Sequence, residues 1–97
     1  MRRIYEPGRS NVLANNAMVA TSQPLSSQEA INILSLGGNA VDAAIAASAV
    51  LSVIEPGSTG IGGDCFCIFY SNKDKKVIAL NGSGHLPSSV NYDKIIT

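Results

Sequence analysis

The 97-residue sequence predicts an α/β fold of the α+β kind, two helices followed by an antiparallel hairpin. Three observations predict it. Two apolar stretches with helical caps are separated by Gly37-Gly38. Two β-prone runs are separated by a polar turn. Charged residues make up only 14% of the chain, against the usual ~25%, so much of the surface is expected to be covered by something else. The length suits one small domain.

Residues 1–16 contain Pro7, Gly8 and polar residues without sustained periodicity, and read as an extended arm. Met18–Ser22 is a short β-prone run. Two helices are expected within 23–55. Pro24 suits the first turn of a helix with Ser22 or Gln23 before it, and Ser26 with Glu29 has capping-box spacing should the helix begin later. Ala30, Ile31, Ile33, Leu34 and Leu36 provide its apolar face, and Gly37-Gly38 stops it.

Asn39 caps the second helix, with Asp42 placed to meet its free N–H groups and positive end. The helix, Ala-Val-Asp-Ala-Ala-Ile-Ala-Ala-Ser-Ala-Val-Leu-Ser-Val-Ile, has six alanines and two serines, so neighbours can approach closely on most sides. Such a helix belongs to an interior. Val41, Ile45, Val50, Leu51, Val53 and Ile54 cannot all be shielded by one partner helix, so a further layer is expected. Pro56 and Gly57 end it.

A hairpin is expected over 64–81. Cys65–Tyr70 is apolar on both faces, as in a strand covered from both sides. Ser71–Lys76 is a polar turn, and Val77–Leu80 returns as the second strand. Residues 82–97 read as a loop followed by a truncated element. Cys65 and Cys67, with one residue between them on the strand, are expected to point to opposite faces and so to be unable to bridge in regular geometry, as buried free thiols in a reducing compartment.

Several function classes are disfavoured. Seven basic and seven acidic residues cancel, leaving no electrostatic footprint for nucleic acid. The glycine loop Pro56-Gly-Ser-Thr-Gly-Ile-Gly-Gly-Asp64 follows a helix and leads into a strand, the reverse of a dinucleotide fingerprint, and it lacks the lysine of a phosphate loop. It reads as a tight connection, or as a loop lining a substrate pocket. The most hydrophobic window, Ala40–Ile54, falls short of the ~20 residues a bilayer requires, so no membrane partner is expected. No apolar stretch follows Arg2 and Arg3 to make a secretory signal, and a cytoplasmic location is expected. No metal set and no cofactor are indicated. His85 is the only histidine, so a Ser-His-Asp arrangement would need Ser83 or a remote serine with Asp64 or Asp42, and nothing in the spacing selects it.

The stretch "NNAMVATSQPLSSQEAINILSLGGNAVDAAIAASAVLSVIEPGSTGIGGDCFCIFY", followed by "ALNGSGHLP", resembles the N-terminal part of the large subunit in the γ-glutamyltransferase (glutathione hydrolase) family of N-terminal-nucleophile hydrolases. The resemblance runs from about Arg9 to Pro87. It rests on Met-Val-Ala-Thr-Ser, Gly-Gly-Asn-Ala-Val-Asp-Ala-Ala and Gly-Ile-Gly-Gly-Asp in the family's order and spacing.

The resemblance implies an αββα sandwich, of which these residues are the N-terminal portion. It also implies a proenzyme that cuts itself into two subunits. The nucleophile is then a threonine freed at the start of the smaller subunit, with its own amine as base. No catalytic residue of that kind falls within residues 1–97, so the partner is the remainder of the enzyme and the substrate a γ-glutamyl or related amide.

Two departures bear on specificity. Where typical glutathione-cleaving members have an arginine gripping the substrate α-carboxylate, counting back from Pro87 gives Ser83, which cannot make that bidentate charge-assisted contact. The sequence is closer to the Asn-Gly-Ser-Gly-Arg-Ala-Pro branch, with His85-Leu86 in place of Arg-Ala. Ser83 and His85 are therefore the candidate substrate-binding residues. His85 either contributes a pH-dependent positive charge or packs in the loop. The remaining alternatives are an acylase or amidohydrolase of altered specificity, and a non-catalytic remnant that binds a partner chain. The apolar helix and open hairpin are not expected to be soluble alone, and the sequence reads as a piece of a larger body.

Overall fold

The computed structural model describes residues 10–91 and residue 93; residues 1–9 of the expected arm and most of the expected C-terminal element lie outside these. The elements in order are α1 (Pro24–Ser35), α2 (Ala40–Ile54), β1 (Cys65–Ser71) and β2 (Lys76–Gly82). The chain forms two compact units, one ending at Ala47 and the other beginning at Ser48, so that α2 contributes to both.

In the first unit, residues 10–21 have no regular structure, and the β-prone run Met18–Ser22 forms no strand. A strand requires a hydrogen-bonded neighbour, and the sheet among the described residues pairs β1 with β2 alone. Thr21 instead serves the start of α1, with Oγ1 donating to the Gln23 carbonyl at 2.7 Å and lying 2.7 Å from Ser27 Oγ.

Helix α1 begins at Pro24, where the missing N–H costs nothing. Gln23 is the N-cap, in extended backbone, and its Oε1 accepts from Leu25 N at 3.3 Å. The helix therefore starts ahead of Ser26, and the Ser26–Glu29 capping box does not form. Ser26 is instead fully buried and donates from Oγ to the Ala47 carbonyl of α2 at 2.9 Å.

A two-bond glycine motif closes α1. Gly37 N donates to Leu34 O at 3.1 Å and Gly38 N to Ile33 O at 2.9 Å, with Gly37 at φ +94°. A side chain resists that dihedral, which explains the glycine. Helix α2 then opens with a reciprocal cap. Asn39 Oδ1 accepts from Val41 N at 2.8 Å and Asp42 N at 3.0 Å, while Asp42 Oδ2 accepts from Asn39 N at 2.9 Å.

The core of this unit is made of small residues. Ala30, Ala43 and Ala47 are 1%, 4% and 7% exposed, with Val19, Ile33 and Leu34 packed around them. Ser26 and Ala30 are four apart on α1, as are Ala43 and Ala47 on α2, so each pair forms a stripe along its helix. Because neither stripe has bulk, Ser26 Oγ reaches main chain on the other helix. Elsewhere on α2 the cover is partial among the described residues: Val41, Val50, Leu51 and Ile54 are half-buried, whereas Ile45 is 65% and Val53 78% exposed. One partner helix shields one stripe, so the interior position expected for the whole circumference is realised on one side.

In the second unit α2 ends with Glu55 N donating to Leu51 O at 2.7 Å. Ser58 N and Thr59 N then both donate to Glu55 O, at 3.1 and 3.0 Å, before Pro56–Asp64 runs as an irregular loop. The strands pair antiparallel from Cys65 opposite Gly82 to Ser71 opposite Lys76. The turn is fixed by Ser71 Oγ donating to Asp74 Oδ2 at 2.8 Å and accepting from Asp74 N at 3.2 Å, and Lys75 takes φ +55° to close it.

The hairpin is apolar on both faces. Phe66, Ile68 and Tyr70 share one face with their cross-strand partners Asn81, Ala79 and Val77; Cys67 and Phe69 share the other with Leu80 and Ile78. The first face is bare: Phe66 is 67%, Ile68 78% and Tyr70 59% exposed. Both thiols are free, as expected, but Cys65 is exposed and Cys67 half-buried rather than both being buried. They also lie on the same face and not on the opposite faces expected, since side chains two positions apart on a strand point the same way; the cover of that face is incomplete among the described residues.

Candidate functional site

The hairpin register builds the site. Because Cys65 pairs with Gly82, the glycine loop ending at Asp64 and the loop starting at Ser83 leave the open end of the hairpin side by side. Two side chains hold the second loop. Asn81 Oδ1 accepts from Ser83 N at 3.2 Å and from Ser83 Oγ at 2.6 Å, an Asx turn with an added hydroxyl bond. Asp64 Oδ1 accepts from Gly84 N at 2.7 Å, across 20 residues of sequence. The peptide joining the two candidate binding residues, Ser83 and His85, is thereby tied to the glycine loop.

Both candidates are exposed, and His85 makes no hydrogen bond to another described residue. Between Lys76 and Lys94 the sequence has no lysine or arginine, so His85 is the one side chain of this stretch that can carry positive charge. The acidic side chain in the loop's own hydrogen-bond set is Asp64.

The arrangement does not form a Ser-His-Asp relay. Ser83 donates to an amide oxygen, which is no base; Asp64 is engaged with Gly84 N and Asp42 with Asn39 N. A nucleophile needs a base at its hydroxyl, and none of these bonds involves His85. What the loop can do is present a serine hydroxyl, an imidazole and backbone groups to a substrate. Among the described residues no three His, Cys, Asp or Glu side chains converge as metal ligands, and no helix is long and apolar enough to cross a membrane.

Ser83 and His85 were selected from the sequence, but the two residues that hold their loop, through Ser83 and Gly84, were not. Asn81 was legible, since Asn-Gly-Ser is Asx-turn chemistry. Asp64 required the register, which follows only once the turn is fixed at Asn72–Lys75.

The sequence profile of the family described as Gamma-glutamyltranspeptidase matches residues 26–95. A glutathione hydrolase-like YwrD proenzyme of Bacillus subtilis is 42% identical over 83 residues, covering 86% of this chain and 16% of that protein. The glutathione hydrolase proenzyme of the same organism is 34% identical over 92 residues, covering 95% of this chain and 16% of its own length. Among solved structures, the γ-glutamyltranspeptidase of Pseudomonas nitroreducens complexed with L-DON superposes with a TM-score of 0.75 at 31% identity, over 82% of this chain and 23% of that one. The chain thus spans about one-sixth (16%) of the length of these curated relatives. Its helices and hairpin are an α+β part of the N-terminal-nucleophile hydrolase fold, the αββα sandwich, that such enzymes share. With the profile matched over most of its length and the fold reproduced, the chain belongs to the γ-glutamyltranspeptidase family.

Proposed function

We propose that these residues form the N-terminal segment of the large subunit of an enzyme that cleaves or transfers γ-glutamyl-type amides. The reaction runs through an acyl-enzyme on a threonine outside residues 1–97. The threonine hydroxyl adds to the amide carbonyl, its proton passes to the residue's own α-amine and then to the departing amine, and water or a second amine takes the acyl group. The role of this segment is to line the substrate pocket with the 82–87 loop. The observation that carries the reading is the tethering of that loop, in which Ser83 and His85 are exposed, by side chains at both strand ends.

A second reading concerns specificity. Ser83 stands where the resemblance places an α-carboxylate-binding arginine, and no lysine or arginine lies near it in sequence. This favours a related acyl or amide substrate that lacks the α-amino acid head group. The test is hydrolysis by the complete enzyme of a γ-glutamyl anilide beside the plain glutaryl anilide. Comparable kcat/KM on the two is the expected result. Strict preference for the γ-glutamyl compound contradicts the missing clamp, and inactivity on both contradicts the enzymatic reading itself.

A further inference from the structure

We propose that Asp64 is a positioning residue for the substrate loop, and that glycine at position 84 exists to admit its carboxylate. The proposal rests on the functional reading above. Its starting point is a glycine without a conformational reason. Among the described residues the positive-φ glycine is Gly37, so Gly84 has a backbone open to other residues. The constraint on Gly84 is one of space: a Cβ built there would lie 2.8 Å from Asp64 Oδ1. The same oxygen accepts from Gly84 N at 2.7 Å, within the short range of charge-assisted bonds. The amide can approach the carboxylate because no side chain stands in the way.

The consequence falls on the neighbouring residues. Ser83 is fixed on one side by Asn81 and His85 on neither, so the Asp64–Gly84 bond is what sets the peptide between them. A loop reading Gly-Ser-Gly loses much entropy on ordering. A carboxylate that orders it before substrate arrives removes that cost from binding. Asp64 therefore acts on substrate affinity through the loop, and touches no reacting atom.

The test uses the complete enzyme and the better of the two anilides, with steady-state kinetics and hydrogen exchange over peptides spanning residues 82–87. D64A is expected to raise KM about tenfold, the scale of one hydrogen bond to a charged group, with kcat changed by less than about twofold. D64N keeps an acceptor oxygen and is expected to hold KM within about threefold of the parent. G84A is expected to raise KM on its own but to add less than about twofold in the D64A background, where nothing remains for the methyl group to strike. Loop exchange is expected to quicken in D64A and G84A and to stay near the parent rate in D64N.

KM and exchange unchanged in D64A overturn the proposal. So does D64N as impaired as D64A, or multiplicative effects in the double variant. Loss of all activity in the parent enzyme overturns the functional reading, whereas the exchange pattern reports on the tether without substrate.

Discussion

Asn39 and Asp42 show how much one pair of side chains decides. The three bonds their side chains accept, two of them between the pair and one from Val41 N, satisfy donors that the start of α2 would otherwise leave open. Asn39→Ala is expected to cost about 1 kcal/mol, read as a lower thermal inactivation midpoint of the complete enzyme, and Asn39→Ser to recover most of it. This cap was legible because it is local: the acceptor, the carboxylate and the helix lie within four residues. Ser26 was not. Its spacing to Glu29 suggested a cap, yet Pro24 starts the helix earlier and Ser26 spends its hydroxyl on the Ala47 carbonyl. A contact across 21 residues has no local signature. At the site, Ser83→Arg is expected to restore a charged donor for an α-carboxylate and to shift selectivity toward the γ-glutamyl anilide by about 10- to 100-fold. An unchanged ratio between the two anilides would show that Ser83 does not face that group.

The elements themselves followed from pattern and punctuation. Gly37-Gly38 divides the helices, and the strand ends at the turn, Ser71 and Lys76, lie one residue from those the polar turn suggested, while β2 runs on to Gly82, two residues past the expected Leu80. The one β-prone run that failed, Met18–Ser22, lacked a partner strand among the described residues, which propensity cannot supply. Between α1 and α2 the sequence showed that neighbours could come close, but not which alanines would be buried. The structure selects Ala30, Ala43 and Ala47. A tight small-residue contact does not tolerate bulk: Ala43→Leu is expected to destabilise the complete enzyme by about 1–3 kcal/mol through overpacking, while Ala43→Ser, which stays small, is expected to cost less than about 1 kcal/mol. Equal effects of the two substitutions would mean that bulk is not what this contact excludes.

At the scale of the molecule, composition told most. A shortage of charge and an excess of apolar residues on both strand faces implied cover from elsewhere, and each compact unit leaves large apolar side chains exposed, Ile45 at 65% in one and Ile68 at 78% in the other. What the sequence could not place was the reacting group, since the resemblance assigns it to a threonine beyond these residues and the relatives are about six times longer, this chain covering 16% of them. The claim at the centre is that residues 1–97 supply a tethered substrate loop to a body whose nucleophile and covering layers lie elsewhere. Its most direct test is to express residues 1–97 alone and follow self-association, thermal unfolding and anilide hydrolysis together. The expected result is concentration-dependent association, no cooperative melt and no hydrolysis. A monomer that melts cooperatively and hydrolyses the anilide would contradict it.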